Sequence, residues 1–228
     1  MATRDATPTR PKRTRTKPAP PPATTVILVR HGQTPSTGKV LPGRAAGLHL
    51  ADVGAEQAER AAVRIGELDR VDAVYTSPLE RARETAAPIA RVRGLRPVVE
   101  RGLQECDFGE WTGAELAKLM KLPEWGTVQR APSTFTFPSG ESFSAMQHRI
   151  VSTIDRLRRA HPGGTIVCVS HADPIKAAVA HALGTHLDLF QRIVISPCAI
   201  SVLAFTSGGP AVLAVNSTGG SLKELRPS

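Results

Sequence analysis

The sequence predicts an α/β protein, a three-layer α/β/α sandwich built on a largely parallel mixed sheet. Three observations carry that expectation. Two apolar, mostly β-branched runs, "VILV" at 26–29 and "TIVCVS" at 165–170, lack polar alternation, as strands covered on both faces do. Strand-like and helix-like patterns alternate between them, the signature of parallel strands joined by helical crossovers. The C-terminal stretch turns to strands joined by short turns, which adds antiparallel pairing at one side.

In chain order, "TTVILV" (24–29) reads as a buried strand, and residues 54–68, "GAEQAERAAVRIGEL", carry apolar side chains at helical spacing with charges between. "DAVYTS" is a short strand that stops at Ser77-Pro78, and 79–92 is helical, with Glu80, Arg81, Arg83 and Glu84 in its first turns. "RPVVE" (96–100) is another short strand, and 102–113 is a polar loop punctuated by glycine. Residues 115–121 and 141–160 read as helices separated by an excursion rich in Pro, Ser and Phe. "GGTIVCVS" (163–170) leads into a helix over 174–183, and "QRIVIS" (191–196), "AISVLAFT" (199–206) and "PAVLAVN" (210–216) read as strands.

A chain of 228 residues, 41% hydrophobic and 21% charged, can bury a full core and has the balance of a globular protein. No apolar run approaches the ~18 residues that span a bilayer, and the N-terminus has no signal-peptide pattern, so a cytoplasmic protein without a membrane partner is expected. Cys106, Cys168 and Cys198 form no CxxC pair, which argues against a disulfide framework or a thiolate zinc site. Six cations against Asp5 place +5 of the net charge of +9 in residues 1–23, together with six prolines. That segment is expected to be a disordered, solvated tail rather than a nucleic-acid-binding arm. The folded domain is expected over 24–217 and a flexible tail over 218–228; oligomeric state is left open.

Ligands of open α/β sheets bind beyond the carboxyl ends of the strands. "VILV" runs into Arg30-His31-Gly32, "TIVCVS" runs into His171, and "AVYTS" delivers Arg81 one helical turn later. If these residues converge, two guanidiniums can clamp a phosphate bidentately. One imidazole, kept neutral by the surrounding cations, can attack phosphorus, and the second can donate to the equatorial oxygens. Glycine after the first histidine lets backbone approach the phosphate. A general acid must protonate the leaving oxygen, and "GLQECDFGEW" offers Glu105, Asp107 and Glu110. Neither a metal nor a cofactor is called for. There is no HExxH, and "GQTPSTGKV" has one residue too many between its glycines for a Walker A loop and no Ser or Thr after Lys39. His49, His148, His161, His181 and His186 are expected to be surface or structural, and Trp111, Trp125 and Cys106 to be packing residues.

The set "LVRHGQT", "SPLERARETA", "GLQECDFGEWTG" and "VSHADPIK", in this order, resembles the histidine phosphatase superfamily, also called phosphoglycerate mutase-like, from about Thr24 to Asn216. The resemblance implies the phosphoglycerate mutase-like fold, His31 as nucleophile, Arg30 and Arg81 on the phosphate, Glu105 as proton donor and His171 in the transition-state role. "FPSGES" (137–142) resembles the phosphatase branch, and the chain as a whole is similar to an actinobacterial subgroup labelled as phosphomutases. Mutases of the family carry an Arg-His-Tyr-like run after the proton donor, a longer insertion before the segment matching Gly140-Glu141, and Asn at the position of Thr37. Here the run is Cys106-Asp107-Phe108, the stretch is short, and the residue is Thr37. Acid phosphatases of the superfamily place their acid directly after the second His, where this chain has Ala172 followed by Asp173.

These features lead to the expectation of a metal-independent phosphatase of small-molecule phosphomonoesters, its partner a small phosphorylated metabolite. Thr34, Thr37, Arg44 and Ala172 are expected at phosphate or substrate beside Arg30 and Arg81. Two rival readings are a phosphomutase using the same site and a non-catalytic binding module recruited through the basic tail.

Overall fold

The computed structural model describes residues 22–219. Apart from residues 22–23 and 218–219, the expected terminal tails lie outside the described residues. Six strands form one sheet: β1 (Thr24–Arg30), β2 (Ala73–Thr76), β3 (Val98–Val99), β4 (Thr165–Ser170), β5 (Ile200–Thr206) and β6 (Gly209–Ser217), in the order β3-β2-β4-β1-β5-β6. The pairs β3–β2, β2–β4 and β4–β1 are parallel, whereas β5 and β6 add antiparallel pairing at the β1 side.

Two layers of helix cover the sheet because both central strands are apolar on both faces. From β1, Ile27 and Val29 point to one side with Val167 and Val169 of β4. That side is closed by α1 (Asp52–Gly66) and α2 (Glu80–Val92) through Ala62, Ile65, Ala82, Ala86 and Ile89. Val26 and Leu28 point the other way with Ile166 and Cys168. They meet α5 (Phe143–Ala160) and α6 (Ala172–Ala182) through Met146, Ile150, Ile154 and Ile175. Between β3 and α5 lie two short helices, α3 (Leu116–Leu119) and α4 (Trp125–Arg130). An aromatic cluster beside them packs Trp111, Phe135, Phe137 and Phe143 at ring separations of 5.0–6.4 Å.

The α/β sandwich and its mixed sheet match the expectation; several elements differ in extent. "QRIVIS" is not a strand: residues 187–192 are a 3₁₀ turn and 193–196 run on irregularly, because the chain here crosses the mouth of a cleft instead of joining the sheet. "RPVVE" pairs through only two residues, both exposed on an edge. The helix expected over 115–121 shortens to four residues, and the aromatic excursion gains α4. The loop 102–113 contains 3₁₀ turns at Arg101–Leu103 and Gly109–Trp111.

Gly54 in the first turn of α1 lies against the loop after β1, where a Cβ would sit 2.0 Å from the carbonyl oxygen of Gln33. Gly66, at the other end of α1, would meet only the Val92 side chain at 3.8 Å. The same substitution should therefore act with opposite sign in one helix. Gly54→Ala is expected to cost about 1–3 kcal/mol by overpacking against backbone. Gly66→Ala is expected to be neutral or to gain up to ~1 kcal/mol from helix propensity. Urea unfolding of the two variants checks this, and equal effects would contradict it.

Candidate active site

The register of the central strands assembles the site. Arg30 stands opposite Ser170 across β1 and β4, and the His31 amide donates to the Ser170 carbonyl at 2.9 Å. His31 and His171 therefore leave adjacent strand tips side by side, with ring centroids 5.1 Å apart. Thr76 of β2 stands opposite Val169, and the Ser77 amide donates to the Val169 carbonyl at 3.0 Å, which brings a third strand end to the same edge. One turn later α2 turns Arg81 inward, where it is fully buried.

The hydrogen bonds define what each group can do. His31 Nδ1 lies 2.7 Å from the Gly32 carbonyl oxygen, an acceptor, so Nδ1 carries the proton and Nε2 holds a lone pair. Arg81 Nε donates toward that Nε2 at 3.3 Å. Each arginine is anchored by one terminal nitrogen: Arg30 Nη1 donates to the Ile195 carbonyl at 2.6 Å, and Arg81 Nη2 to the Gly43 carbonyl at 2.8 Å. His171 Nε2 is 2.8 Å from Ser77 Oγ. Three buried nitrogens of this group, Arg30 Nε, Arg81 Nη1 and His171 Nδ1, have no partner among the described residues. A buried unpaired donor costs about 1–3 kcal/mol, so the two guanidinium N–H groups left open beside the histidines suit an anion.

Burial, followed by the charges of Arg81 and Arg30, holds the His31 imidazole well below its ordinary range. Burial, then His31 and the two arginines, does the same to His171. Both rings are neutral at pH 7. Burial also lowers Arg30 and Arg81 from their ordinary values.

Glu105 enters from the loop after β3. Its Oε1 accepts from the Cys106 amide at 2.9 Å. Burial, reinforced by the charge of Asp173, pushes its carboxyl up to about 7. It lines a cleft of about 360 Å³ together with Arg30, His31, Thr34, Thr37, Ala172 and Asp173. Thr34 and Thr37 bond each other through their hydroxyls at 3.0 Å. The outer wall is apolar (Leu41, Phe108, Leu116, Ile193, Ile195) with a polar spot where Lys176 pairs with Asp173 at 3.2 Å and bonds Gln191 at 3.0 Å. A separate cavity of about 830 Å³ between α5, α6 and the β5–β6 hairpin contains none of these site residues.

Of the residues expected at phosphate or substrate, Arg44 is engaged with the loop that carries Glu105. Its three nitrogens donate to the Glu105 carbonyl (2.9 Å), Asp107 (3.3 Å) and Glu141 (3.0 Å). Trp111 and Trp125 stack at 6.4 Å within the aromatic cluster. His161 bonds Tyr75 and His186 bonds Asp188, away from the cleft. Sequence reasoning did not single out Ser77, Lys176, Gln191, Glu141 or Arg149. Only Ser77, at the tip of a predicted strand, carried a positional signal. Among the described residues no three His, Cys, Asp or Glu are grouped to hold a metal ion, and no helix is long and apolar enough to cross a membrane.

The raised Glu105 carboxyl has a consequence for stability. Between its ordinary 4.5 and about 7, the folded protein holds a proton that the unfolded chain releases, so stability falls as pH rises through that window. Glu105→Gln removes this loss. In phosphate-free buffer its stability relative to wild type is expected to improve by up to about 3 kcal/mol from pH 4.5 to pH 8. A difference independent of pH would show that Glu105 is not buried as described.

Comparison with known proteins gives the family and the fold. A bifunctional protein of Mycobacterium tuberculosis is 33% identical over 204 residues, covering 86% of this chain and 54% of that protein; the chain thus spans about half the length of that curated relative. Phosphoserine phosphatase 1 of Hydrogenobacter thermophilus is 30% identical over 197 residues, covering 85% of this chain and 92% of its own. Among solved structures, a phosphoserine phosphatase from Entamoeba histolytica with phosphoserine bound superposes with a TM-score of 0.77 at 26% identity, covering 86% of this chain and 98% of that one. A mycobacterial glucosyl-3-phosphoglycerate phosphatase shares the fold with a TM-score of 0.78 at 24% identity, covering 86% and 99%. The model of the histidine phosphatase superfamily (branch 1) matches residues 26–218, from the first strand of the sheet to just past the last, and this chain belongs to that superfamily.

Proposed function

We propose that the chain is a metal-independent phosphatase that hydrolyses small-molecule phosphomonoesters through a phosphohistidine at His31. The observation that carries this reading is the neutral His31 imidazole, its Nε2 facing Arg81 Nε at 3.3 Å, beside His171, with three buried nitrogens of Arg30, Arg81 and His171 left without a partner. Arg30, Arg81 and His171 hold the phosphoryl oxygens. When Ser77 donates its hydroxyl proton to His171 Nε2, the ring presents Nδ1–H to the charge that develops on those oxygens.

His31 Nε2 attacks phosphorus, and the bond from phosphorus to the ester oxygen breaks. Glu105, protonated over part of its population at neutral pH, gives its proton to that oxygen, and the alcohol departs. Water then attacks the phosphohistidine. The Glu105 carboxylate takes the water proton, the P–N bond breaks, and phosphate and the original imidazole are restored. The catalytic unit in this reading is residues 24–217, and Thr34, Thr37 and Ala172 contact phosphate or substrate. Three unpaired, buried cysteines fit a reducing compartment such as the cytoplasm.

Hydrolysis is favoured over phosphoryl return to a second position because the outer wall carries one cation, Lys176, and Asp173 already neutralises it. A mutase needs a cation there for the second phosphate. The phosphoserine phosphatases among the relatives and the polar spot on an apolar wall support small phosphorylated hydroxy or amino acids as substrates.

Turnover of p-nitrophenyl phosphate in EDTA tests the proposal. Wild type should release phosphate, and His31→Ala should lose at least about 10³-fold; equal rates would overturn it. With an alkyl phosphate, kcat/KM should fall as pH rises through about 7, because only protonated Glu105 can serve the leaving oxygen. Glu105→Gln should remove that limb of the profile.

A further inference from the structure

We infer that Glu141 is a positioning residue that fixes Glu105 for proton transfer, acting through Arg44 and Arg149; the inference rests on Glu105 being the proton donor. The loop carrying Glu105 has little regular secondary structure of its own, and its carbonyls are satisfied by side chains instead. Arg149 Nη1 donates to the carbonyls of Gly102 and Gln104, each at 2.9 Å, and Nη2 to that of Glu105 at 3.3 Å. Arg44 Nε donates to the same Glu105 carbonyl at 2.9 Å.

Both guanidiniums are set by one carboxylate. Glu141 Oε2 accepts from Arg149 Nη2 at 2.8 Å and Arg44 Nη2 at 3.0 Å, and Oε1 accepts from Arg149 Nε at 2.9 Å. Glu141 Oε2 also faces the Asp107 amide at 3.3 Å, and its own amide donates to the Asp107 carbonyl at 2.8 Å. Its side chain is only 13% exposed, in a region of low dielectric where such pairs hold their geometry. Burial is the largest single influence and pushes the carboxyl up, but the bond and charge of Arg149, the Asp107 amide and the charge of Arg44 together outweigh it and hold the group below its ordinary value.

The turn that presents Glu141 is equally constrained. A Cβ at Gly109 would lie 2.0 Å from the Pro138 carbonyl oxygen, and one at Gly140 would lie 2.5 Å from that of Asp107. Backbone therefore meets backbone between "DFGEW" and "FPSGES". The Glu105 peptide is gripped from two sides, and its side chain, tied to the Cys106 amide, inherits the orientation. Glu141 thus acts on Glu105 through the two guanidiniums that hold the Glu105 carbonyl.

Leaving-group dependence separates this role from a general structural one. A dinitrophenolate departs without a proton, whereas an alkoxide needs one. Glu141→Gln should keep kcat/KM for 2,4-dinitrophenyl phosphate within about threefold of wild type and lose about 10- to 100-fold on glycerol 2-phosphate. Glu105→Gln should show the same selectivity with a larger loss, and the double variant should be no worse than Glu105→Gln alone. Arg149→Lys, which keeps the charge beside Glu141 but cannot span three carbonyls, is made alongside in case Glu141→Gln folds poorly; it should show the same selectivity. Equal losses on both substrates, no loss, or additive losses in the double variant would overturn the role of Glu141. Absence of leaving-group selectivity in Glu105→Gln would instead overturn the proton donor on which it rests.

Discussion

The parallel pairing of β1 with β4 is the constraint on which the site depends. With Arg30 opposite Ser170, the next residue on each strand is a histidine, and the 5.1 Å between the rings is close to the spacing of neighbouring strands. A slip of one residue would send every side chain of β1 to the other face. The two faces are not interchangeable. The α1–α2 side is lined largely by alanines and β-branched residues that let the helices lie close, whereas the other side is filled by Phe143, Met146 and Phe190. The unequal cores fix the register, and the register fixes the histidine pair.

What the core positions is a locally unfavourable electrostatic arrangement. Arg30 and Arg81 are withdrawn from water beside two neutral imidazoles, and the acid nearest to them is itself pushed toward neutrality by burial and by Asp173. Neither arginine is free to swing, because the Ile195 and Gly43 carbonyls each hold one terminal nitrogen. The strand tips thus hold their donors in place in the absence of any ligand, which is the preorganisation that the proposed phosphoryl transfer needs. Local rules of polar satisfaction are broken here at Arg30, Arg81 and His171, as functional sites permit.

The fold class was legible because its strongest elements are also its simplest. "VILV" and "TIVCVS" are apolar without alternation, and no other placement than the middle of a covered sheet accommodates them. Arg30, His31, Arg81 and His171 could be read because each follows a buried strand within a few residues, so their convergence is a property of the topology. "QRIVIS" misled because its β-branched residues serve a cleft wall, where the same side chains suit irregular backbone. Arg44 was legible as a functional cation but not as a scaffold, since its partners Asp107 and Glu141 stand 63 and 97 residues away. Glu141 and Arg149 left no local mark for the same reason: a helix-start carboxylate and a helix-face arginine look like ordinary solvated charges until the tertiary fold encloses them.

The three cysteines have a further consequence. Cys168 lies in the central strand, Cys106 in the acid loop and Cys198 at the turn that receives the end of β1, each buried and each with its thiol pushed up by burial, Cys198 to about 12. None presents a thiolate in the closed molecule. Alkylation of any one of them reports an opening event of its own region, so the chain carries three internal clocks, one for the sheet and two for the loops near the histidine pair, and their relative rates rank how readily each part unfolds locally.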